Sequence, residues 1–72
     1  MSDEKYIMSS LSNALDILDL LSKRDNIGVM DISKALGISK SSIFKMLYTL
    51  EAKGFVRKDY DAKYSLGMKF LE

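Results

Sequence analysis

Two amphipathic stretches, Val29 to Leu36 and Lys40 to Lys53, are separated by nothing more than Gly37-Ile38-Ser39. No other feature of the chain constrains its fold as much. A helix that stops so abruptly needs a residue at ease in the left-handed region, which Gly37 supplies, and Ser39 is a good cap for the helix that follows. In the first stretch Val29, Ile32, Ser33 and Leu36 recur at helical spacing; in the second, Ile43, Met46, Leu47 and Leu50 mark one face and Gly54 ends the run. Two helices joined by a turn of this length containing Gly make the helix-turn-helix signature.

The flanking segments complete a small domain. Ser10 to Lys23 reads as a helix, because Leu11, Ala14, Leu15, Leu18 and Leu21 recur every three or four residues, with Ser9 or Ser10 able to cap its start. Ile17 and Leu20 widen its apolar arc beyond half the circumference. Either the domain wraps this helix on two sides, or Ile17 and Leu20 form a stripe that faces a partner. A short extended stretch falls at Ile27. After Gly54, Phe55-Val56-Arg57-Lys58 alternates and meets Tyr64-Ser65-Leu66 across a turn at Tyr60 to Lys63, so a β-hairpin is expected. That turn lacks glycine, which leaves its type open.

The expected fold class is therefore α+β and mainly α: three helices followed by a two-stranded hairpin, a winged helix-turn-helix. Without proline, linker, repeat or low-complexity tract, the 72 residues read as one domain with its core at 9–67, and Met68, Phe70 and Leu71 begin a further element over 68–72.

Composition narrows the chemistry. The chain has no Cys and no His, which removes disulfides, thiolate or imidazole zinc sites, thiol nucleophiles and imidazole bases. No cofactor, no metal site and no enzyme activity are expected, and Asp59 and Asp61 read as solvated turn residues. No apolar run reaches the ~18 residues of a membrane span, and the Met1-Ser2-Asp3-Glu4-Lys5 start lacks the pattern of a secretory signal. A cytoplasmic domain with no membrane partner is the expectation.

The formal net charge of +1 conceals a division along the chain. Residues 1–33 carry three basic and six acidic side chains, whereas residues 34–72 carry eight basic and four acidic ones. The third helix and the hairpin form the basic half. Alone, such a surface is an ordinary solvated one; its coincidence with the wheel of the third helix points further. Opposite Ile43, Met46, Leu47 and Leu50 lie Ser41, Lys45, Tyr48 and Ala52, flanked by Lys40 and Phe44, with Glu51 toward the other flank. A helix that enters the major groove of DNA needs donors and small groups near its N-terminus, no carboxylate, and apolar atoms for thymine methyls. The N–H groups near Ser39 and Lys40 suit a phosphate. For Phe44 the competing reading is a ring folded back on the second helix. In the hairpin, Arg57, Lys58 and Lys63 can lie along the phosphate backbone, while Phe55, Val56, Tyr64 and Leu66 close the core; alternation is expected to send these two sets to different faces.

The run Leu36-Gly37-Ile38-Ser39-Lys40-Ser41-Ser42, with Ser10 to Leu18 before it and Gly54-Phe55-Val56 and Tyr64-Ser65-Leu66-Gly67 after it, resembles the N-terminal winged helix-turn-helix domain of IclR-family transcriptional regulators of bacteria and archaea. The resemblance covers about Ser10 to Leu71. It implies a repressor or activator that binds double-stranded operator DNA as a homodimer or a pair of dimers. It further implies a first helix that contributes to dimerisation, and a linker helix from 68–72 to a larger C-terminal domain, not contained in this chain, that binds a small-molecule effector. DNA contacts of the family map onto Lys40, Ser41, Ser42, Phe44 and Lys45. Two positions depart from the family pattern: Lys45 stands where Arg is usual, and Asn13 where the first helix often carries Arg. A lysine cannot form the two-pronged contact by which arginine reads guanine.

Two functions of different class thus compete. In the first, the domain binds DNA through Ser39, Lys40, Ser41, Ser42, Phe44, Lys45, Tyr48, Arg57, Lys58 and Lys63, with Ile17 and Leu20 as dimer contacts and weak or no self-association of this piece alone. In the second, the same winged helix is a protein-association module that uses the broad stripe of the first helix with Phe44 and Tyr48.

Overall fold

The computed structural model describes residues 4–67; the element expected over 68–72 lies outside the described residues. After one 3-10 turn at Glu4–Tyr6, the elements run α1 (Ser9–Lys23), β1 (Ile27–Gly28), α2 (Val29–Leu36), α3 (Lys40–Ala52), β2 (Val56–Lys58) and β3 (Lys63–Leu66). The winged helix-turn-helix is present, and its sheet has one strand more than the hairpin alone. The antiparallel order is β1-β3-β2, with Ile27 opposite Tyr64 and Gly28 opposite Lys63.

The turn between α2 and α3 is set by Gly37 and Ser33. Gly37 adopts a φ of 68°, in the left-handed region that ends helices, and its N–H donates to the Ser33 carbonyl at 2.8 Å. The Ile38 N–H donates to the same carbonyl at 3.3 Å, and the Ser33 hydroxyl donates back to the Ile38 carbonyl. Ser33 therefore fastens both directions of the turn and fixes how α3 leaves α2. Ser39 caps α3 as expected, its Oγ accepting the Ser42 N–H at 3.3 Å. On α1 the capping expectation fails: Met8 occupies the cap position without a side-chain bond, and Ser9 and Ser10 already lie in the first turn.

Ile17, Leu21, Ile32, Ile43 and Leu47 are fully buried, one or two from each helix, and Leu18, Ile27, Val56 and Tyr64 close the core from α1 and the sheet. Burying each such side chain contributes roughly 1.5–3 kcal/mol. Which flank of the α1 arc meets this core differs from expectation. Ile17 is 0% exposed, and Leu20 is half-buried against the core, so neither forms a free partner-facing stripe. Leu11 and Leu15, expected inside, are each 56% exposed. The arc is as wide as the sequence implies, but α2 and the sheet cover its Ile17 side and leave its Leu15 side open.

Between β2 and β3, the Asp59 N–H donates to the Lys63 carbonyl at 3.0 Å and the Ala62 N–H to the Asp59 carbonyl at 3.1 Å. This is a three-residue hairpin loop, Tyr60 to Ala62, which ordinarily wants a left-handed residue at its end. Ala62 fills that place with a φ of 58°. Asp59 compensates by folding its carboxylate into the loop, where Oδ1 accepts the N–H groups of Asp61 at 2.9 Å and Lys63 at 3.0 Å.

Candidate nucleic-acid interface

The outward face of α3 follows from the core it buries. With Ile43 and Leu47 fully enclosed and Met46 and Leu50 half-buried, the helical period turns Lys40, Ser41, Phe44, Lys45 and Tyr48 to the exterior, and all five are exposed. Ser42 is half-buried, and its hydroxyl accepts from Ser39 Oγ at 3.0 Å, so the two serines hold the helix start in shape. Phe44 is not folded back on α2. It is 51% exposed and lies against Tyr48, itself 67% exposed, with ring centroids 6.3 Å apart and planes tilted by 44°. The Thr49 hydroxyl donates to the Lys45 carbonyl at 3.0 Å. Phe44, Lys45, Tyr48 and Thr49 line a shallow notch of about 360 Å³.

The wing sets its cations on two faces rather than one. Arg57 stands opposite Ser65, and Lys58 opposite Tyr64, with Val56 opposite Leu66. Residues directly opposite one another share a face, so Lys58 projects on the same side as Val56 and Tyr64, beyond the end of the core, while Arg57 projects on the other. The expected separation of basic from apolar residues therefore holds for Arg57 and not for Lys58. Lys63 is half-buried, and a Cβ added to Gly28 would lie 3.8 Å from its Cδ, which puts the aliphatic stem over β1.

Among the described residues the ion pair within 4 Å is Lys23 with Asp19, at 3.2 Å on the surface of α1. Lys40, Lys45, Arg57 and Lys58 thus enter no salt bridge among the described residues and stay available to an external anion. No group of three or more acidic, His or Cys side chains that could hold a metal occurs among the described residues, and no described helix is long and apolar enough to cross a membrane.

Two exposed features escaped the sequence reading. Tyr60 stands fully exposed at the wing tip, and Tyr6, Ile7, Met8, Leu11 and Leu15 line an open cavity of about 460 Å³ at the start of α1. The breadth of the α1 arc was the signal for the second; an isolated aromatic in a turn gives no periodic signal.

Comparison with known proteins places these features in context. The model of the IclR helix-turn-helix domain matches residues 10–60. The HTH-type transcriptional regulator XynR of Escherichia coli K12 is 40% identical over 68 residues, which are 92% of this chain and 27% of that protein. The crystal structure of an IclR transcriptional regulator from Alicyclobacillus acidocaldarius superposes with a TM-score of 0.88 at 33% identity, covering 92% of this chain and 28% of that one. The Zalpha domain of Cyprinid Herpesvirus3 ORF112, in a structure of its binding mode to Z-DNA, superposes with a TM-score of 0.73 at 26% identity, covering 83% of this chain and 97% of that domain. The chain spans only 22% to 27% of the length of the curated relatives it matches, which are named as transcriptional regulators. With most of its length matched by one family model and by regulators of that type, the chain belongs to the IclR helix-turn-helix domain family.

Proposed function

We propose that this chain is the operator-binding domain of an IclR-like transcriptional regulator and that it binds double-stranded DNA with α3 in the major groove. The observation that carries this reading is the exposed face of α3, where Lys40, Ser41, Phe44, Lys45 and Tyr48 stand together. A carboxylate there would repel phosphate, and none is present among these five. In this reading Ser41, Phe44, Lys45 and Tyr48 meet base edges, with Ser39 and Ser42 shaping the helix start. Lys40, Arg57, Lys58 and Lys63 meet phosphates. The domain acts in the cytoplasm without enzymatic activity or cofactor. Residues 68–72 lead toward a larger domain through which a small-molecule effector acts.

Two copies bind together, as half-site recognition by a helix-turn-helix normally requires. In place of the buried Ile17, the open flank of α1 at Leu11 and Leu15, with Ile7 and Met8 just before the helix, supports a homodimer contact in the longer protein. So small a patch supports weak association of the 72-residue chain alone, and a tight dimer at low micromolar concentration in sedimentation contradicts that.

Binding to a pool of genomic fragments tests the assignment. Lys45→Ala is expected to lose ~1–3 kcal/mol at preferred sites, whereas Lys58→Ala weakens binding to all sequences alike. If both variants bind as the parent does, the assigned face is wrong. A second reading, protein association, is favoured by the exposed apolar cluster from Tyr6 to Leu15 and by the near-neutral net charge. Ionic strength separates the two, because DNA binding releases counterions and an apolar contact does not.

A further inference from the structure

We infer that Phe44 and Tyr48 read 5-methyl groups in the major groove, so that the base pairs under the α3 face present thymine, and 5-methylcytosine serves in its place. The inference rests on the DNA-binding reading of α3 and adds what that helix distinguishes.

The hydrogen-bonding code of the major groove is read by particular side chains. Guanine is matched by Arg or Lys, adenine by the amide of Asn or Gln, and cytosine by a carboxylate acceptor. The 13 residues of α3, KSSIFKMLYTLEA, contain no Arg, Asn or Gln, and the one carboxylate is Glu51 near the C-terminal end. Of the exposed polar groups, Ser41 both donates and accepts and so accommodates any base, and Lys45 is a flexible point charge. Apart from contact of Lys45 with guanine, polar readout by this helix is therefore permissive.

Its apolar surface is not. Phe44 and Tyr48 lie one turn apart with ring centroids 6.3 Å apart and planes inclined at 44°, and both line the 360 Å³ notch. Thr49 also lines the notch, and its hydroxyl donates to the Lys45 carbonyl. Of the four bases, thymine alone carries an apolar group on its major-groove edge, and contact with that methyl is a recognised use of exposed Phe and Thr side chains. An aromatic notch on a face without directional hydrogen-bonding groups selects for that methyl and is indifferent to whether a thymine or a methylated cytosine carries it.

The test uses the 72-residue chain and a duplex selected from a random pool, with affinity measured by fluorescence anisotropy. Replacing thymines one at a time by deoxyuridine removes only the methyl group. At contacted positions affinity is expected to fall about fourfold per methyl, the ratio that follows from burying one methylene-sized apolar group. A cytosine placed at such a position is expected to regain the same factor when methylated at C5. Phe44→Ala and Tyr48→Ala are expected to bind thymine and deoxyuridine duplexes alike; both side chains are exposed, and an unchanged melting temperature verifies that the fold persists. If the selected duplex is preferred over scrambled DNA but no deoxyuridine substitution changes affinity beyond twofold, methyl readout is overturned while DNA recognition stands. If no sequence is preferred over scrambled DNA, the DNA-binding reading fails first and carries this inference with it.

Discussion

Asn26 and Ser65 hold each other across 39 positions of sequence: the Ser65 hydroxyl donates to Asn26 Oδ1 at 3.1 Å and accepts the Asn26 backbone N–H at 3.3 Å. Ser65 is 7% exposed and is the buried polar residue of the core region, while Asn26 sits at a φ of 55°, which asparagine tolerates better than most residues. The pair ties the connection between α1 and β1 to the wing. Ser65→Ala is expected to cost about 1–2 kcal/mol in urea unfolding, because one donor and one acceptor lose their partner near the core. Asn26→Gly, which keeps the backbone conformation and loses one of the two bonds, is expected to cost less than Asn26→Val, which loses the conformation as well.

The inner and outer flanks of α1 can be told apart by two substitutions of similar size. Ile17→Ala is expected to destabilise the fold by about 2–5 kcal/mol, enough to unfold much of so small a domain. Leu15→Ala, on the open flank, is expected to change stability by no more than about 0.5 kcal/mol. Denaturant midpoints measured side by side decide which flank the core occupies, and a larger effect at Leu15 reverses the packing described.

Two backbone positions carry opposite expectations. A Cβ on Gly67 would lie 2.5 Å from the Gly54 carbonyl oxygen and 3.1 Å from the Phe55 carbonyl carbon, both backbone atoms, and the Gly67 N–H donates to the Phe55 carbonyl at 2.8 Å. Gly67→Ala therefore forces the strand away from the segment that follows α3 and is expected to cost about 1–3 kcal/mol, as overpacking does. Ala62 already adopts a positive φ, so Ala62→Gly relieves strain and is expected to raise stability by up to about 1 kcal/mol. Thermal melts of the two variants should move in opposite directions.

Much of this architecture is legible in the residues because it depends on local chemistry. Gly37, Ser39 and the spacing of Ile43, Leu47 and Leu50 specify a turn, a cap and a buried face without reference to distant parts of the chain. The outward face of α3 follows as their complement. What the residues do not disclose is set by distant partners. An extended stretch at Ile27 is legible, but that it becomes the two-residue β1 depends on Tyr64 and Lys63, which pair with it from the far end of the chain. The covered flank of α1 depends on where α2 and the sheet settle, which a helical wheel does not contain. Likewise, alternation separates Arg57 from Lys58, but only the register with Ser65 and Tyr64 tells which of them shares a side with the core.

The central claim, that α3 and the wing bind DNA, is tested most directly by the dependence of affinity on salt. Four phosphate contacts, from Lys40, Arg57, Lys58 and Lys63, give an expected slope of about −3.6 for log Kobs against log salt concentration on duplex DNA. Lys58→Ala is expected to flatten that slope by about one unit. A slope near zero for the parent chain, unchanged in Lys58→Ala, contradicts the account and leaves the apolar flank of α1 as the functional surface.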